Sequence, residues 1–73
     1  MAIQIVMDRT GDSRHSFDPN DAQELAKAEQ RFHELTKVGF TAAARTGSGE
    51  VSQLRSFDPN AEETVFFPRL VGG

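Results

Sequence analysis

The residues best suited to chemistry in this chain are Gly72 and Gly73, which follow Arg69 and the apolar pair Leu70-Val71. Glycine has no Cβ, so two in succession thread a narrow enzyme cleft and leave a terminal carboxylate open to attack. That suits acyl transfer through the Gly73 carboxylate, with ATP and a partner enzyme supplying the activation. The competing reading of the same two residues is an ordinary frayed chain end.

The remaining candidates are weaker. His15 and His33 have no spacing that pairs them as metal ligands, and solvated or capping roles are expected for both. Glu62-Glu63 is read as part of a first helical turn after Asp58-Pro59, where negative charge is favourable without acid-base chemistry. Gly47-Ser48-Gly49 suggests a phosphate loop but lacks the following Lys-Ser/Thr and a helix to aim amides at a phosphate. Ser16 and Ser56 have no histidine partner in a recognisable motif. With no cysteine in the chain, thiolate catalysis, disulfides and the usual structural zinc sites are excluded. The expectation is a protein that is not an enzyme, with no metal and no cofactor of its own.

Composition narrows the partners. The chain has 73 residues, with 8 Lys and Arg against 11 Asp and Glu, a net charge of -3. The signs are mixed along the sequence, leaving no basic stripe for a phosphate backbone, so nucleic-acid binding is not expected. No run is long enough to span a membrane, and the start, Met-Ala-Ile-Gln-Ile-Val-Met, lacks a basic leader and a signal core. The expected location is cytoplasmic. A chain this short buries only about 60% of the surface its unfolded state exposes, so its core is thin.

The elements that must carry the tail follow from periodicity. Residues 2–8 alternate, with Ile3, Ile5 and Met7 on one face and Gln4, Val6 and Asp8 on the other, which predicts a strand. The turn at Thr10-Gly11-Asp12 leads to a partner strand over residues 14–17. At Asp18-Pro19 the pattern predicts a helix start, with Asp18 as N-cap and Pro19 at the first position. Leu25, Ala28, Phe32 and Leu35 then form one apolar stripe, and Gly39 is the expected left-handed cap. A second hairpin is predicted from Phe40 to Arg45 and from Glu50 to Phe57. A single turn at Asp58-Pro59 and a short strand, Val65-Phe66-Phe67, follow, and Pro68 weakens the ladder before the tail. The predicted core joins Ile3, Ile5, Leu25, Phe32, Leu35 and Phe67.

One segment occurs twice: Ser16-Phe17-Asp18-Pro19-Asn20 matches Ser56-Phe57-Asp58-Pro59-Asn60, each preceded by an Arg-Thr-Gly, at Arg9-Thr10-Gly11 and Arg45-Thr46-Gly47. It reads as the same local capping chemistry written twice rather than as a duplicated binding motif.

The order hairpin, helix, hairpin, turn, strand and diglycine tail resembles the ubiquitin-like β-grasp family over nearly the whole chain. The carrying residues are Ile3-Gln4-Ile5-Val6 with Thr10-Gly11, Phe17 with Asp18-Pro19-Asn20-Asp21, and Glu63-Thr64-Val65-Phe66-Phe67 running to Arg69-Leu70-Val71-Gly72-Gly73. The resemblance implies an α+β fold in which two hairpins and a short C-terminal strand form a mixed sheet packed on one long helix. Residues 1–68 are then a single domain and residues 69–73 a flexible tail. It also implies a protein modifier or sulfur carrier. An ATP-dependent adenylating enzyme activates Gly73, Gly72 and Gly73 are the conjugation site, and Arg69, Leu70 and Val71 serve in tail recognition. A conjugation target or sulfur acceptor is the further partner. Pro68 in the closing strand and a second hairpin longer than that of ubiquitin depart from the family pattern. A Pro-containing tail is closer to bacterial and phage ubiquitin-like proteins. The competing readings are a non-conjugated interaction module using the sheet face of the second hairpin, and an assembly protein of a larger particle.

Overall fold

A computed structural model describes residues 1–45 and 49–68. The chain runs through β1 (Ala2–Asp8), β2 (Gly11–Phe17), α1 (Ala22–Lys37), β3 (Phe40–Arg45), β4 (Val51–Leu54) and β5 (Glu63–Pro68). The fold is α+β: one mixed five-stranded sheet in the order β2-β1-β5-β3-β4 with one helix across a face. β1 and β5 are parallel neighbours, Ile3 opposite Glu63 and Val6 opposite Phe66. The other pairings are antiparallel.

The first hairpin turns earlier than the sequence predicts: Gly11 and Asp12 are already paired in β2, and the turn is Arg9-Thr10. Asp8 pairs with Gly11 across Arg9-Thr10, and the Asp8 carboxylate accepts from the Thr10 hydroxyl at 2.6 Å and the Thr10 amide at 2.7 Å. Those bonds, the hydroxyl's first, hold the Asp8 carboxyl below the usual carboxylate range. Gly11 has a φ of 127°, which a residue with a Cβ rarely adopts. β4 ends at Leu54, earlier than the sequence predicts, because the chain leaves the sheet so that Phe57 can enter the core. Its ring centroid lies 6.2 Å from Phe17 and 5.9 Å from Phe32.

The helix starts one turn later than Asp18-Pro19 suggests. The Asp18 carbonyl accepts from the Asp21 amide at 3.0 Å and its side chain from the Asn20 amide at 2.9 Å, closing a turn around Pro19. Asp21 is the N-cap, with extended backbone, and its carboxylate accepts from the Gln23 amide at 2.9 Å and the Glu24 amide at 3.3 Å. Glu24 reaches back to the Asp18 amide at 3.0 Å, so the two turns are stitched together. Asp21→Ala should therefore cost about 1 kcal/mol, the usual worth of an N-cap. Asp18→Ala should cost less, and urea melts of the two variants check the order. At the other end Gly39, φ 111°, follows the C-cap Val38, and its amide donates to the Thr36 carbonyl at 3.2 Å, as expected of a glycine cap.

The core corrects the sequence reading in phase. The helix covers the face carrying Ala2, Gln4 and Val6 of β1, Phe17 of β2, Ala42 and Ala44 of β3, and Thr64 and Phe66 of β5. Val6, Phe32, Ala42 and Phe66 form one buried cluster, and Ala2, Phe17 and Ala28 a second, with Phe57 packed against both. Leu25 and Leu35 pack at the margins. Ile3, Ile5 and Phe67 belong to the opposite face, so none of them joins the cluster of Phe32 as predicted, although Ile5 is buried as expected. Ile5 is buried there between its neighbours Arg14 and Val65, whereas Phe67 is 38% exposed and Phe66 fully buried. Period-two patterns differ by one residue between the two outcomes, and that residue moves the whole strand from one face to the other.

Candidate functional site

β5 ends at one pole of the sheet. β5 lies between β1 and β3, and its last residue, Pro68, stands opposite Phe40, the first residue of β3. Pro68 has no N–H and closes the strand there. The C-terminal end of α1 lies at the same pole, since only Val38 and Gly39 separate Lys37 from Phe40. Beside this exit a groove of about 400 Å³ is lined by Thr36, Gly39, Phe40, Leu54 and Arg55 among others. Arg69, Leu70, Val71, Gly72 and Gly73, the residues expected to be read and activated, lie outside the described residues, as do Thr46 to Ser48 of the Gly-Ser-Gly turn.

On the sheet face away from the helix, the rows converge on the same strand. Arg14, Ile5, Val65, Ala43 and Gln53 form one row in register, and Met7, Phe67 and Thr41 belong to the next. Met7 is 43% exposed, and Val51, on the β4 edge of this face, is also exposed.

The repeated segments end up side by side. Each Asp accepts from the amide of the Asn two residues on, at 2.9 Å in both copies, and each Asp carbonyl closes a turn to the residue three on. The two copies do share their local chemistry, but it is an Asp-centred turn and not the helix N-cap read in the sequence, since neither Asp18 nor Asp58 caps a helix. Pro19, Asn20, Pro59 and Asn60 also line one open groove of about 720 Å³ with Met1 and Leu25. The second copy makes one β-turn and no helical turn. Glu62 is consequently in a bend, its carbonyl bonded to the Ile3 amide at 3.0 Å, and Glu63 is in β5, its carboxylate 3.7 Å from the Arg45 side chain.

One polar constellation escaped the sequence reading. Gln4 is fully buried on the helix face of β1. Its Nε2 donates to the Ala28 carbonyl at 3.0 Å, and its Oε1 accepts from the Arg31 guanidinium at 2.9 Å. His15, opposite Gln4 on β2, is half-buried and not a solvated histidine; burial, and then the positive charge of Arg31, lower its pKa from the usual value. The available signal was a polar residue flanked by apolar ones on the second face of a strand, but Gln4 and Arg31 are 27 residues apart in sequence. His33 sits on the exposed side of α1, 3.8 Å from Glu29. Among the described residues no three His, Cys, Asp or Glu side chains gather as a metal site, and no helix is long and apolar enough to cross a membrane. No protein-family profile matches the chain, and neither a curated protein nor a solved structure matches it significantly.

Proposed function

We propose that this domain is a ubiquitin-like protein modifier or carrier, activated at the Gly73 carboxylate by an ATP-dependent adenylating enzyme. The observation that carries the reading is the strand order β2-β1-β5-β3-β4 with β1 and β5 parallel and β5, the last strand, in the middle of the sheet. The sequence after Pro68 is Arg-Leu-Val-Gly-Gly, an apolar grip followed by two residues without side chains.

The chemistry is acyl transfer with the domain as donor. A Gly73 carboxylate oxygen attacks the α-phosphorus of ATP, the bond to the β-phosphate bridge breaks, and pyrophosphate leaves. A thiolate of the partner then attacks the acyl carbon and releases AMP, forming a thioester. A lysine amine displaces the thiolate and loses a proton to give an isopeptide bond. In the carrier variant, sulfide sulfur displaces AMP to give a thiocarboxylate. The domain itself contributes recognition and an unhindered acyl carbon, and no catalytic group.

The test is incubation with ATP, magnesium and an adenylating enzyme encoded beside its gene, followed by intact mass spectrometry. An adenylate or thioester on Gly73 is expected. Deleting Gly72 and Gly73 should abolish the product without changing the urea midpoint. Gly73→Val should be nearly as damaging, since a β-branched side chain crowds the acyl carbon and stiffens the tail. Protein isolated from its host with that enzyme expressed, yet carrying only an unmodified carboxylate or further residues beyond Gly73, would sink the proposal. The non-conjugated interaction module would then be the better reading.

A further inference from the structure

We propose that the cleft between α1 and the outer strand β2 binds a small organic anion, its charged group on Arg31 and its hydrocarbon body on Val6, Leu35 and Val38. Those three apolar side chains, together with Ser13, His15, Arg31 and Glu34, line a space of about 400 Å³. That is within the usual range for small-ligand sites, which combine apolar walls with a few placed polar groups.

Gln4 is the reason to read the cleft as built. A glutamine at zero exposure under a helix carries a desolvation cost that an apolar residue of the same length avoids. Its bond to the Ala28 carbonyl adds little to α1, because a mid-helix carbonyl already has the amide four residues on as its partner. What the side chain does achieve is to hold Arg31: one end is anchored on the helix backbone and the other accepts from the guanidinium.

Arg31 is half-buried, and among the described residues it has no carboxylate within ion-pair distance and no acceptor other than Gln4. A guanidinium has five N–H donors, so donors remain for an anion, and a carboxylate or phosphate oxygen fits them in charge and geometry. The Ser13 hydroxyl and the His15 ring on the facing strand supply further polar contacts. Arg31 on the helix wall and His15 on the strand wall line the same cleft. Glu34, held by Gln30 at 3.0 Å, is on the helix wall and disfavours a second negative charge.

The test is an NMR titration of isotope-labelled full-length protein at pH 7 with sodium hexanoate, hexyl phosphate and hexanol. Hexanoate or hexyl phosphate should give saturable shifts at Ser13, His15, Val38 and the Arg31 side chain. The tighter of the two anions tells a carboxylate ligand from a phosphate ester. Hexanol should bind about tenfold more weakly or less, and Arg31→Gln should bring the anions down to its level, the scale of a lost charge-assisted hydrogen bond. Glu34→Gln should tighten anion binding, an outcome that a structural role alone would not produce. Gln4→Met should leave the melting temperature equal or higher while weakening the anions several-fold, because it removes only the hold on Arg31. Equal binding of hexanol and the anions, binding unchanged in Arg31→Gln, or no saturable shift up to about 50 mM, the upper end for a specific weak ligand, would overturn the proposal.

Discussion

Replacing Phe32 with alanine should unfold this domain or bring it close to unfolding. The ring is 1% exposed and stands at the junction of three aromatic contacts: Phe66 at 5.7 Å, Phe57 at 5.9 Å and His33 at 5.9 Å, all edge-on. A buried Phe→Ala change costs roughly 3 to 5 kcal/mol, part lost transfer energy and part cavity. A domain of this size has about 5 to 10 kcal/mol in total. Phe32 is also the residue through which α1, β5 and the irregular segment holding Phe57 meet, so no neighbouring side chain can collapse into the space without opening another contact. Urea denaturation followed by circular dichroism should show the midpoint falling to near zero denaturant. A loss under about 1.5 kcal/mol would mean that the ring is not in the core.

The adjacent phenylalanines of β5 should respond in opposite ways, and the difference reads the register of the central strand. Phe66 is fully buried against Val6, Phe32 and Ala42 on the helix side. Phe67 is 38% exposed on the face that no helix covers. Phe66→Ala should therefore cost about 3 to 5 kcal/mol, and Phe67→Ala under about 1 kcal/mol, as usual for a surface site. The second variant should fold normally. That makes it the cleaner tool for asking whether the open face takes part in recognition by an activating enzyme. If Phe67→Ala were the more damaging change, β5 would be shifted by one residue, and β1, its parallel partner, would have to turn its other face to the helix.

How far these residues could be read in advance depends on the range of the physics behind them. The strands, the helical stripe and the Gly39 cap are consequences of local backbone preferences and of spacings of two, three and four residues, and all are legible in the linear order. The adjacency of the first and last strands was not legible in the same way, because alternation marks a strand without naming its partner, and the two lie more than 50 residues apart. Asp18 was mistaken for the N-cap because Asp18 and Asp21 both satisfy the local rule. The choice went to Asp21 once Asp18 had closed its own turn around Pro19.

The sequence by itself determined the inventory of strands and helix, the Gly39 cap, and the composition of the tail. Each depends on residues within a few positions of one another. The tertiary structure alone decided which face of β1 and β5 became the core. Ile3, Ile5 and Met7 outrank Ala2, Gln4 and Val6 in apolarity, yet the smaller set lies under the helix, and alternation defines two faces without saying which one a helix will cover. It also decided the pairing of Gln4 with Arg31 and the meeting of Phe17 with Phe57, contacts spanning 27 and 40 residues. Such contacts leave no periodic trace, because they exist only after the sheet has brought distant segments together.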